Sequence, residues 1–123
     1  MLKKLIRGIT TNYAALEESA EPALRPMTVS LPIADVANGI EAWASEAPNW
    51  SYEAGQPDGA DTQIHLTRTT SLCRFVDDVR ITLTPDREQT LVNAESQSRI
   101  GVGDLGQNPR NLRELTAMLR QLA

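Results

Sequence analysis

Leu112, Leu115, Met118, Leu119 and Leu122 form one apolar stripe at helical spacing near the end of a 123-residue chain. No other feature narrows the fold as much, because a helix with one greasy side must lay it on something. The runs that precede it supply the surface. Trp50–Ala54 reads as a short strand, closed by the turn-rich stretch Gly55–Asp61. A second strand places Ile64, Leu66 and Arg68 on one face and Gln63, His65, Thr67 and Thr69 on the other. Ile81 and Leu83 lead a third over Val79–Thr84, and Pro85–Gln89 is a polar hairpin connection. Thr90–Ser98 follows, with Val92, Ala94, Ser96 and Ser98 on a shared face. Asn108 is placed to cap the terminal helix and Pro109 to occupy its first turn.

Upstream, Met27–Leu31 alternates apolar and polar as a half-buried strand does. From Pro32 the period becomes helical through Ile33, Val36, Ile40, Trp43, Ala44 and Ala47; Gly39 weakens this helix and Pro48 stops it. The expected fold is α+β: an antiparallel sheet of about four to five strands, with a helix in the N-terminal half and a long C-terminal helix packed on one face. The topology expected is similar to small helix-grip folds. Aromatic residues are only 4% of the chain, so aliphatic side chains must fill this core.

Residues 1–26 read as a helical or extended leader, because Pro22 and Pro26 forbid a continuous helix there. Residues 27–123 then form a single domain. Leu2, Leu5, Ile6 and Ile9 could share one side of an interfacial helix, which makes residues 1–9 the candidate for peripheral membrane contact. No stretch approaches the ~20 apolar residues of a membrane span. The formal net charge of −4 argues against nucleic acid as a partner. Cys73 is the only cysteine, which excludes an intramolecular disulfide and fits a cytoplasmic setting.

Two polar clusters could carry chemistry. In Arg74-Phe75-Val76-Asp77-Asp78-Val79 adjacent aspartates in a strand point to opposite faces, so at most one can face the core while the other meets water, and in a turn both are solvated. A buried carboxylate needs an arginine or several donors, and Arg68, Arg74, Arg80 and Arg99 are candidates. The second cluster runs from Ser96 to Asn108, where Gly101, Gly103 and Gly106 permit unusual backbone, Asp104 suits a turn, and the loop opens onto a helix start that favours anions. Arg99, Arg110 and Arg113 could add positive charge there. The loop matches neither a Walker A pattern nor a dinucleotide fingerprint. His65 reads as a solvated or edge residue and Cys73 as a small apolar filler. No histidine–cysteine metal spacing occurs, so neither a metal nor another cofactor is expected.

The motifs Arg74-Phe75-Val76-Asp77-Asp78-Val79 and Ser96-x-Ser98-Arg99-x-Gly101-x-x-Asp104-x-Gly106-x-Asn108, with Arg110, resemble the family named domain of unknown function 1499 over roughly residues 27–122. The resemblance implies bacterial and plastid-associated relatives with no established activity. It makes Arg74, Asp77, Asp78, Ser96, Ser98, Arg99, Asp104, Gly106 and Asn108 the signature polar positions. Many relatives carry a Pro-Asn-Cys-Val-Ser-Ser-like stretch after a leader or anchor, where this chain has Thr10-Thr11-Asn12-Tyr13.

Three functions fit these residues. A non-catalytic domain would bind a small anion or a protein partner through Arg74, Asp77, Asp78, Ser96, Ser98, Arg99, Asp104, Asn108 and Arg110, with Arg99 as the charged anchor. An enzyme would use Asp77 or Asp78 as general base. An assembly protein would instead expose a contiguous apolar patch.

Overall fold

A computed structural model describes residues 13–18, 21–71, 74–99 and 106–122. Their elements, in chain order, are β1 (Tyr13–Ala15), a single 3-10 turn (Pro22–Leu24), β2 (Met27–Val29), α1 (Ile33–Glu46), β3 (Trp50–Asp58), β4 (Asp61–Thr69), β5 (Val76–Asp86), β6 (Gln89–Ser98) and α2 (Gln107–Leu122). The sheet has six strands in the order β1-β6-β5-β4-β3, with β2 also on β6, and every pairing is antiparallel.

The α+β class expected from the sequence is what forms, with one strand more than the four to five anticipated. The extra strand is β1, three residues with no alternation to read. It pairs with β6 from Gln97 to Glu95, and β2 pairs farther along β6, from Val92 to Thr90. Together they make one interrupted edge strand. The excursion between them rests on α2: Thr116 donates to the Ala23 carbonyl at 2.9 Å and Arg113 to Glu21 at 2.8 Å. Part of the stretch read as a leader thus contributes to the sheet.

β3 runs through Gly55–Asp58, a stretch whose composition reads as turn. Proline is tolerated there because β3 is an edge strand and Pro57 lacks only an outward donor. The Tyr52 ring covers Gly55, where a Cβ would collide with the Tyr52 hydroxyl. The actual reversal is the pair Gly59-Ala60, with Gly59 at φ 64°.

One face of the sheet is the core. Ile64, Leu66, Val79, Ile81, Leu83, Val92 and Ala94 meet Val36, Ile40 and Ala44 of α1 and Leu112, Leu115 and Leu119 of α2, all buried. Trp43 and Trp50 close the end of α1, ring centroids 4.8 Å apart. The opposite face carries polar side chains, and no helix among the described residues covers it. β5 therefore separates an oily side from a wet one, and its two aspartates stand on either side of that divide.

Candidate functional site

Asp77 and Asp78 occupy successive positions of β5, so one faces the helices and the other the open face. Asp77 is 1% exposed. No arginine among the described residues reaches it. Its Oδ1 accepts from the Ser98 hydroxyl at 2.8 Å and its Oδ2 from Asn111 Nδ2 at 2.9 Å. The same Nδ2 also donates to Ser96 Oγ at 3.1 Å. Ser96 donates to Asn108 Oδ1 at 2.6 Å, and Asn108 Nδ2 donates to Ser98 Oγ at 3.0 Å, which closes a ring of five side chains. Every donor path in this ring runs from Asn111 and ends on Asp77. Behind Asn111, Gln107 donates to its Oδ1 at 2.6 Å.

Of the two ways a buried aspartate was expected to be satisfied, an arginine or several donors, the ring is the second. Neutral donors suffice because two small hydroxyls on β6 leave room for two amides from the first turns of α2. Asn108 consequently does not act as the N-cap: it lies inside the helix, and its amide points at the sheet. Gly106, at φ 83°, turns the chain into α2 just before it.

On the open face Asp78 is a hub. Arg99 grips it with Nε on Oδ2 and Nη2 on Oδ1, both at 3.0 Å, and His65 Nε2 meets Oδ1 at 2.7 Å. The Arg99 hydrogen bonds hold the Asp78 carboxyl below the usual carboxylate range; they outweigh its partial burial, and the His65 bond adds to them. The same pairing raises Arg99. The Arg99 side chain is still 51% exposed. Register aligns His65, Arg80 and Glu95 across three strands, on the same face as Asp78 and Gln97. Glu95 accepts from the Tyr13 hydroxyl at 2.8 Å. The Arg80 guanidinium has no hydrogen-bond or ion-pair partner among the described residues. Asp78, Arg80, Glu95, Gln97, Ser98 and Arg99 line a shallow depression of about 200 Å³.

The sequence-predicted residues therefore fall into groups. Asp77, Ser96, Ser98 and Asn108 meet in the buried ring, and Asp78 and Arg99 meet outside it on the other face. Arg74 is exposed at φ 58°, in a turn held by Thr70, with no side-chain partner among the described residues. Arg110 donates to Gln107 Oε1 at 3.2 Å within the first turn of α2. Asp104, Gly101, Gly103 and Cys73 lie outside the described residues, as do residues 1–9. Asn111, Arg80 and His65 join the picture without having been singled out as site residues. Arg80 was legible in principle, since a residue two beyond Asp78 on a strand shares its face.

Chemically, Asp77 is sealed within the ring, and Asp78 is an ionised carboxylate whose oxygens are engaged by Arg99 and His65 and whose lowered pKa makes it a weak base. Among the described residues no group of His, Cys, Asp or Glu could hold a metal ion, and no helix is long and apolar enough to cross a membrane. Residues 9–119 match the sequence model of the family described as Protein of unknown function (DUF1499), which covers most of the chain; the chain belongs to that family. Among curated proteins none matches it.

Proposed function

We propose that this DUF1499 domain is a non-catalytic binding module that takes a small anionic ligand on the open face of its sheet, between Arg80 and Arg99. The observation that carries the reading is an imbalance of pairing. Asp78 is satisfied by Arg99 and His65, Glu95 is drawn to Tyr13, and Arg80 between them has no side-chain partner among the described residues. An unpaired guanidinium beside a second one held by Asp78 offers its donors to an anion. The buried ring behind β5 and β6 supports it by fixing the two strands that present these arginines. A site of about 200 Å³ is small by the standard of drug-sized pockets and suits a ligand of few heavy atoms.

The test is titration of the protein with inorganic phosphate, sulfate and acetate, followed by amide NMR shifts and by melting temperature. Shifts should centre on β5 and β6 around Arg80, and Arg80→Ala should abolish them without loss of fold. Shifts scattered over the surface and unchanged in Arg80→Ala would defeat the reading.

A further inference from the structure

We propose that the ligand is an anion bearing a hydroxyl group, of the 2-hydroxycarboxylate class, whose carboxylate meets Arg80 and whose hydroxyl donates to Nδ1 of His65. This rests on the anion site just described and goes further, since it names the group that distinguishes one anion from another.

The argument starts at Asp78. Its carboxylate is kept ionised by Arg99 and can only accept hydrogen bonds. The 2.7 Å contact with His65 Nε2 therefore places a hydrogen on Nε2. In the neutral ring the other nitrogen, Nδ1, is then a bare acceptor, and it has no partner among the described residues. Asp78 thus fixes the tautomer of the neutral imidazole and leaves Nδ1 as its remaining acceptor.

Arg80 asks for the opposite. His65 and Arg80 are direct register partners on β4 and β5, so their side chains rise next to each other from the same face. Arg80 lines both the depression beside Arg99 and a second hollow of about 100 Å³ formed with Ala54, Gln56, Gln63, Ile64 and His65. A molecule that reaches from Arg80 into the second hollow thus has His65 at its side. A plain carboxylate or sulfate can satisfy the guanidinium but has no hydrogen to give Nδ1. A hydroxyl on the carbon next to a carboxylate supplies one within a molecule small enough for the hollow. Among the described residues, Asp78, Arg80, Arg99, Glu95 and Glu53 are the charged groups on this face around the ring.

The experiment compares matched acids that differ by one hydroxyl: glycolate against acetate, and lactate against propionate, titrated by amide NMR into the wild-type protein, His65→Ala and Arg80→Ala. The expected result is about five-fold tighter binding of the hydroxy acid by wild type, the worth of one net hydrogen bond. His65→Ala should bind both members of each pair with the affinity that wild type shows for the plain acid. Arg80→Ala should bind neither. Equal affinities in wild type, or a preference that survives His65→Ala, would overturn the inference and leave the anion site standing. Failure of all four acids to shift the amides around Arg80 would remove the anion site itself, and the inference with it.

Discussion

Asp77→Asn changes one atom in the buried ring, and a count of hydrogens shows why it should be costly. Five contacts close the ring, and each consumes one donated hydrogen. In the native protein Asn111 gives two, Asn108, Ser96 and Ser98 give one each, and Asp77 gives none, so supply matches demand. An asparagine at 77 presents one donor and one acceptor. A single atom of Asn111 serves both of its ring neighbours, so Asn111 contributes two hydrogens or, flipped, none. The total on offer becomes six or four: with six, the five contacts close only if one serine accepts twice and its own hydrogen finds no acceptor in the ring, and with four, one contact has no hydrogen. One buried polar group is left unmatched, at about 1–3 kcal/mol, with volume and packing unchanged. We expect a loss near 2 kcal/mol in urea unfolding at constant m, and a fall in Tm of roughly 6–12 °C. A loss smaller than about 0.5 kcal/mol would refute the count, because it would mean that water or a rearranged ring restores the missing partner.

Asp78→Asn, one residue along the strand, should destabilise less than Asp77→Asn and mainly reshape the acid limb. Asp78 titrates below its ordinary 3.8 in the folded protein, so its contribution is complete above that value and is lost as pH falls through the lowered one. Melting curves of wild type and Asp78→Asn should therefore differ near neutrality and converge under strongly acid conditions; a constant gap at every pH would contradict this. Gly39→Ala should leave stability unchanged or raise it by up to about 1 kcal/mol in urea unfolding, because helix propensity improves and the new methyl meets only the movable tip of Leu122, at 2.9 Å. Gly59→Ala should lose about 1 kcal/mol in the same assay, because the residue sits at φ 64° with nothing within 4 Å, so the cost is purely conformational.

Much of the fold could be read from periodicity because each helix and each long strand buries one side. The stripe Leu112, Leu115 and Leu119 is fully buried, and α1 ends at Glu46, where Pro48 stops it. What periodicity missed was set by pairing. β1 is a strand because β6 offers it an edge, and Pro57 stays in β3 because no neighbour needs its missing hydrogen. Neither fact leaves a trace in a local window of sequence.

The polar residues were harder to read for a related reason. The doublet Asp77-Asp78 told in advance that in a strand at most one carboxylate could face inward, since side chains alternate. The partners of each were set by register. Thr69 pairs with Val76 and Asp77 with Ser98, so the 70–75 connection and the β5–β6 turn bring His65 and Arg99 to the outer carboxylate, and Ser98 to the inner one. A slip of one residue in either pairing would exchange the faces. The inner ring opposes such a slip, because its five contacts close only in this register. That is the physical link between the two clusters: the sealed side of the strand pair fixes the geometry of the exposed side. It also orders the tests. A substitution in the ring, such as Ser98→Ala, should weaken anion binding at Arg80 only to the extent that it loosens β5 against β6, whereas Arg80→Ala should abolish binding with the ring and the melting temperature left intact.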